Sequence, residues 1–418
     1  MTKSTVVDRK AAWVLVPLFA GVGAITSCER IAYYSTGRND PPPSTSTSSG
    51  TSSSGGPSLT RGALLQSVAA CQLDLLASFR KAAEEFDTAA IAAKNDPTAR
   101  EAARLAWTKA IDVWQQAELF QFGPAAPSNT PGGQSLRDQI YSWPLVSRCL
   151  VEQNIVSKSY ENPDFGTAVL VNMRGLAAAE YLLYYGGSDN ACSPSTNINA
   201  SGDWAALGTD ELALRKAHYA SAIATSVANS ARALEQAWRA DGGNFIGKFL
   251  GAGSSGSVYT TEQMALNAVS DAMFYMEKPL KDLKLARPLG IMDCDAASCP
   301  EAVESRYAGR SRTHIRNNLV GFRMLLSGCD AGGNIGFDDL LTASGAGSLA
   351  TKLTTNVDLA IAAADAVPQD DLAVALANDP SSVLALHAAV KSITDLLKTE
   401  FVSILDLEPP QHVEGDND

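Results

Sequence analysis

The chain is short of positive charge. Its 33 Lys and Arg stand against 45 Asp and Glu, a formal net charge of −12. Nucleic-acid binding needs basic patches that displace counterions from phosphate, so no nucleic-acid partner is expected. Histidine is scarce: His218, His314, His387 and His412 are all there is, which leaves little for a histidine-rich metal site. No C-x-x-C pair occurs, and this argues against a thiolate zinc site. A Gly-x-Ser-x-Gly elbow and a phosphate-binding loop are also missing. The run Gly251 to Gly256 is Gly-rich but is not followed by Lys-Ser/Thr, so it reads as a flexible loop. Alternating strand patterns of about five residues or more are absent too. What remains is a helical protein.

The N-terminus has its own logic. Lys3, Arg9 and Lys10 precede an apolar run from Ala11 to Ala24. This run is too short and too close to the terminus for a good spanning helix, and it reads as an export signal over 1–27. It ends in Ile25-Thr26-Ser27-Cys28, which resembles a bacterial lipobox; the resemblance implies cleavage before Cys28 and lipidation of it. Asn39 to Pro57 is a Pro/Ser/Thr/Gly tract with almost no apolar residues, and such a segment behaves as a tether. Residues 28–58 therefore read as a lipid anchor plus spacer, holding a globular body at a membrane. Glu29, rather than Asp, after the cysteine favours the outer membrane or its periplasmic face by the same resemblance. Setting Cys28 aside leaves six of the 7 cysteines. An even number in an exported chain suggests disulfides, with fifteen pairings open. Cys294 and Cys299, bracketing a short loop, are the easiest pair to expect.

From Leu59 onward the periodicity is helical. Leu64, Leu65, Val68, Cys71, Leu75, Phe79, Ala83 and Phe86 recur at three- and four-residue spacing. Asn95-Asp96-Pro97 opens a second helix that runs to about Phe122 and stops at Gly123-Pro124. Further helices are expected over about Phe165 to Tyr185, Asp210 to Ala240, Thr261 to Leu283, Pro300 to Leu326, and Asp379 to Leu405. The expected fold is all-α, with two tandem helical bundles: residues 59–200, then 201–408, followed by an acidic tail over 409–418.

Two carboxylates fall on apolar faces. Trp107, Ile111, Trp114 and Glu118 form one stripe, so Glu118 ends an aromatic and buried row. Glu180 shares a face with Leu176, Ala177, Leu183 and Tyr184. A glutamate there is paired, neutral or working. Inward carboxylates on neighbouring helices can hold a hard cation, or one can keep its proton; Arg174 could neutralise either. The plainer reading is that both hydrogen-bond backbone groups beside Gly123 and Gly186. His314, in the basic run Arg310 to His314, reads as a surface or interface residue.

The segment Arg174 to Tyr184 resembles the G-x-H-x-x-E motif of the imelysin family, the insulin-cleaving membrane protease group. Gly175 and Glu180 match, but Ala177 replaces the histidine. Three weaker elements resemble further family segments: Glu118 to Pro124, Trp143-Pro144-Leu145, and Asn318-Leu319-x-Gly321. Together they span most of the body. The resemblance implies two packed helical bundles and a link to iron acquisition. Without an imidazole at 177, a zincin-type pair of ligands is missing. The expected reading is therefore a non-peptidase binding protein of the cell envelope. Its ligand would be iron, another divalent or ferric cation, or an iron carrier, held in a cleft by candidates Glu118, Glu180, Arg174, Gly175, Ala177, Tyr184 and Trp143. The alternatives are a metallopeptidase, and a scaffold that has lost its site and captures an envelope protein.

Overall fold

A computed structural model describes residues 59–410. The export signal, Cys28, the tether through residue 58 and the tail residues 411–418 lie outside the described residues.

Thr60 accepts the Ala63 N–H through its side chain and starts α1, Arg61–Asn95. Leu64, Leu65, Val68, Leu75, Leu76, Phe79, Ala83 and Phe86 of α1 are buried. This helix is long and apolar enough to cross a membrane by composition, but 56% of the apolar window is already buried against the rest of the protein. Asp96 then accepts the Thr98 N–H with Pro97 in the first turn, and α2 runs over Arg100–Ala117. Next come α3 (Arg148–Ser157), α4 (Gly175–Tyr184) and α5 (Thr209–Trp238). The second half supplies α6 (Glu262–Met273), a π-helical segment over Glu277–Ala286, α7 (Ser311–Ser327), α8 (Gly347–Ala366) and α9 (Pro380–Leu396). Asp379 caps α9 by accepting the Ser382 N–H, with Pro380 in the first turn. No strand occurs among the described residues; the fold is all-α.

The helices sort into two groups. Helices α1, α2, α4 and α5 pack together, and α7, α8, α9 and the π-helical segment form the other group. The sequence places α5 in the second bundle, but its apolar face (Tyr219, Ile223, Val227, Ala231, Leu234, Trp238) runs along α1 and α4. No boundary between bundles falls near residue 200: α5 belongs with α1 and α4, and the segment Phe245–Leu250 after it still packs on α1. Periodicity finds a helix and its buried face, but not the partner that covers that face. The groups meet along α2 and α7, where Gly321 lets the backbones close: a Cβ there would stand 2.4 Å from the Gln116 carbonyl oxygen. The described residues belong to one compact unit.

Two other segments depart from expectation, and both bear on the site. The helix expected from Phe165 breaks up. Only Phe165–Ala168 and Val171–Met173 coil, as short turns; Arg174 is extended, and α4 begins at Gly175 with φ +78°. Glycine is required there, since a Cβ would lie 2.7 Å from the Ile140 carbonyl oxygen. The helix expected from Pro300 begins only at Ser311. Ser305 (φ 53°) and Gly309 (φ 64°) turn the intervening chain back into the protein.

Three disulfides staple the unit: Cys71–Cys329, Cys149–Cys192 and Cys294–Cys299. The expected Cys294–Cys299 pair is among them. Cys71–Cys329 spans 258 residues of sequence and ties α1 to the turn after α7.

Candidate functional site

Glu118, at the end of α2, is fully buried. Its partner is Arg137, whose Nη2 and Nε donate to Oε1 at 2.6 and 3.1 Å. Burial opposes the charge on Arg137, but Glu118 holds the guanidinium protonated with its basicity raised. Arg137 Nη2 also reaches the Trp143 carbonyl at 3.3 Å. The carboxylate thus secures the Trp143-Pro144 segment through an arginine. Arg174 takes no part in this. It is buried and donates to the Gly166 carbonyl. The expectation that Arg174 neutralises Glu118 or Glu180 is corrected: the extended backbone at 174 turns its side chain toward the 165–168 turn instead.

Glu180 is 3% exposed. The backbone N–H groups of Tyr307 and Ala308 both donate to its Oε1 at 2.9 Å. Burial raises its pKa; the two N–H groups and His314 oppose that rise but do not cancel it. The plainer sequence reading, a carboxylate bonded to backbone, describes Glu180, except that the amides come from the 303–310 turn and not from beside Gly186.

A third buried carboxylate, Glu304, went unnoticed in the sequence because it sits in the stretch expected to be helical. It is 1% exposed. Tyr141 donates to its Oε1 at 2.5 Å, Gln115 Nε2 lies at 3.2 Å, Lys284 Nζ is 2.8 Å from Oε2, and His314 Nδ1 is 3.4 Å from Oε2. Burial pushes its pKa up, but Lys284 and His314 more than reverse this and hold it at about 2. Lys284 is itself fully enclosed and also donates to Gln115 and Asn318, at 2.9 and 2.7 Å. His314 is fully buried, not at a surface. This network locks α2, α7, the π-helical segment and the 303–310 turn together. The turn in turn presents its amides to Glu180. Asn318 of the Asn318-Leu319-x-Gly321 element was the one sequence signal pointing to it.

Beside Glu180 opens a cavity of about 340 Å³. Trp143, Pro144, Ala177, Tyr181 and Tyr307 form much of its wall, with Arg148, Arg287, Glu301 and Arg306 around them. Ala177 and Glu180, one turn apart on α4, both line it. Of the sequence candidates, Trp143, Ala177 and Glu180 meet here. Glu118 acts from behind through Arg137. Gly175 sets the helix start. Tyr184 is not in the lining: its hydroxyl lies 3.1 Å from the Thr108 hydroxyl and donates to the Arg104 carbonyl at 3.1 Å. Arg148 is braced by Glu152 (2.7 Å) and Asp189 (2.9 Å) and lies 4.3 Å from the Tyr185 ring centre. The Cys149–Cys192 bond fixes the same corner.

A resident metal does not fit the residues present. No group of three His, Cys, Asp or Glu side chains is placed to hold one among the described residues, and the cavity wall offers neither imidazole nor thiolate. Another cavity, of about 390 Å³, lies between the end of α1 and the start of α5. Its wall is mostly Ala and Leu, with Lys94, Arg100 and Asp210 as the charged residues; Leu182 and Leu183 of α4 line it, but Gly175, Ala177 and Glu180 do not.

The family model for imelysin matches residues 73–399. The chain belongs to the imelysin family. Two solved structures share its fold. One is an imelysin-like protein from Psychrobacter arcticum 273-4 (TM-score 0.60, 16% identity, 84% of this chain and 98% of that one covered). The other, from Parabacteroides distasonis ATCC 8503, is provisionally named an iron-regulated protein A precursor (TM-score 0.61, 16% identity, 84% and 97% covered). No curated protein matches the chain. Within the imelysin frame, Ala177 stands in the cavity wall where the motif calls for histidine.

Proposed function

We propose that this imelysin is a binding protein of the cell envelope, not a peptidase, and that it takes an iron-bearing or other metal-bearing ligand into the cavity beside Ala177 and Glu180. One observation carries the reading. The position that would supply an imidazole is a methyl group, and the only carboxylate one turn away already accepts two backbone N–H groups. Peptide hydrolysis by a metal needs ligands for the ion and a base for water, and this wall supplies neither set. The iron-regulated name of the Parabacteroides structure, together with the family's resemblance-based link to iron acquisition, supports metal cargo. Anchoring through Cys28 completes the proposal, resting on the lipobox-like sequence and the tether that follows it.

The test is hydrolysis of casein by the purified full chain, with and without chelator, beside calorimetric titration with metal ions and metal chelates. The reading expects no hydrolysis above background and saturable binding. Chelator-sensitive hydrolysis that Glu180→Gln abolishes would overturn it.

A further inference from the structure

The charged residues around the cavity narrow the ligand class. A hard cation is satisfied by about six or more oxygen donors. The wall provides Glu180, whose Oε1 is engaged by two amides, and Glu301 is exposed. A bare ion would keep most of its water there. The cations tell a different story. Arg148 is committed to Glu152 and Asp189. Arg287 and Arg306 both line the cavity, both are exposed, and neither has a carboxylate partner among the described residues. Arg306 lies 5.4 Å from the Tyr307 ring centre and spends one donor on the Glu301 carbonyl at 3.3 Å. The rest of its planar fork, and that of Arg287, match the geometry of carboxylate oxygens. The Glu180 carboxylate Oε1 is turned to the Tyr307 and Ala308 amides, which offset part of its charge. A volume of about 340 Å³ corresponds to roughly ten waters, enough for a small organic acid.

We infer that the cavity receives a small polycarboxylate anion, alone or carrying a ferric ion, gripped by Arg287 and Arg306 against the Trp143, Tyr181 and Tyr307 walls. The inference rests on the binding-protein reading and specifies its ligand. The cargo brings its own oxygen donors, and the protein supplies the counter-charge and the aromatic surface.

Calorimetric titration of the full chain with citrate, with ferric citrate and with Zn²⁺ alone tests it, each repeated on the Arg287→Ala/Arg306→Ala double variant. Both arginines are exposed, so the variant keeps the fold, and circular dichroism verifies this. Saturable binding of either citrate form is expected. The double variant weakens it about tenfold or more, and raising salt from about 50 to about 500 mM weakens it too. If only the ferric form binds, the cargo is the chelate; if both bind equally, it is the acid. Unchanged affinity in the double variant, or no binding of either form, overturns the inference. Binding of Zn²⁺ alone, indifferent to the arginines, would overturn it while leaving the binding-protein reading intact. Chelator-sensitive casein hydrolysis would remove both.

Discussion

Removing the charge from Glu304 should cost this protein stability at neutral pH and less in acid. The carboxyl is held at about 2 against an ordinary 4.5, and its side chain is 1% exposed, so solvent screening does not discount the effect. That displacement corresponds to about 3 kcal/mol. The sign follows from the direction. A carboxyl depressed by folding contributes its full stability above pH 4.5, and the contribution disappears as pH falls through about 2. Glu304→Gln should therefore lose about 3 kcal/mol at pH 7, and the deficit should shrink between pH 4.5 and 2. Lys284→Met should cost about 3–5 kcal/mol, because it strands a buried carboxylate and leaves Gln115 and Asn318 without their shared donor. The double variant should cost less than the two single variants added, since no uncompensated charge remains; a coupling of about 2 kcal/mol is expected. Urea unfolding of the oxidised full chain, followed by circular dichroism at several pH values, reads all four corners of the cycle. Strictly additive single variants, or a Glu304→Gln deficit that does not change with pH, would refute the view that the 303–310 turn is pinned by this ion pair.

Other expectations follow from the same geometry. Glu180→Gln should leave stability at pH 7 unchanged or raised. A carboxyl whose pKa is raised by folding weighs against the fold once pH exceeds 4.5, and an amide oxygen can still accept from Tyr307 and Ala308; thermal melts against pH check this, and a loss comparable to Glu180→Ala would contradict it. Glu180→Ala itself should cost about 1–3 kcal/mol for each amide it orphans away from cavity water. Replacing Cys71 and Cys329 with Ala should lower the unfolding free energy by about 5 kcal/mol, against about 2 for the Cys294 and Cys299 pair, because loop-closure entropy grows with the 258- and 5-residue separations; equal losses in urea unfolding would argue that the long bond constrains little. Ala177→His should add an imidazole one turn from Glu180 in the cavity wall and raise Zn²⁺ retention in equilibrium dialysis above that of the natural chain, and no gain would mean that the pair cannot converge on one ion.

Much of this architecture was legible in the residues. The three- and four-residue spacing of α1, the Asp96-Pro97 and Asp379-Pro380 starts, and the Trp107–Glu118 stripe state local rules that the packing obeys: Trp107, Ile111, Trp114 and Glu118 are all buried. Two kinds of information were missing. The first is long-range. Nothing in the periodicity of α5 says that α1 and α4 cover its apolar face, and nothing in Glu118 names Arg137, 19 residues away. The second is backbone geometry that propensity cannot reach. Residues 300–310 have a helical composition, yet Ser305 and Gly309 take left-handed conformations and create the turn that carries Glu304 and the amides bound by Glu180. The same holds at Gly175, whose approach to Ile140 shortens the motif helix. Within the site, the motif match located Ala177 and Glu180. It could not show Arg287 and Arg306, because isolated exposed arginines carry no sequence signal.

The central claim is that the cavity bordered by Trp143, Ala177, Glu180 and Tyr307 is where the ligand sits. Hydrogen exchange of the full chain, with and without saturating ferric citrate, addresses it directly. The Tyr307 and Ala308 amides, already held by Glu180, and the segments over 143–148 and 301–307 should exchange more slowly when ligand is bound. Protection confined instead to residues 90–100 and 210–220, around the apolar cavity at the end of α1, or no protection at the Tyr307 and Ala308 amides under saturating ligand, would contradict the account.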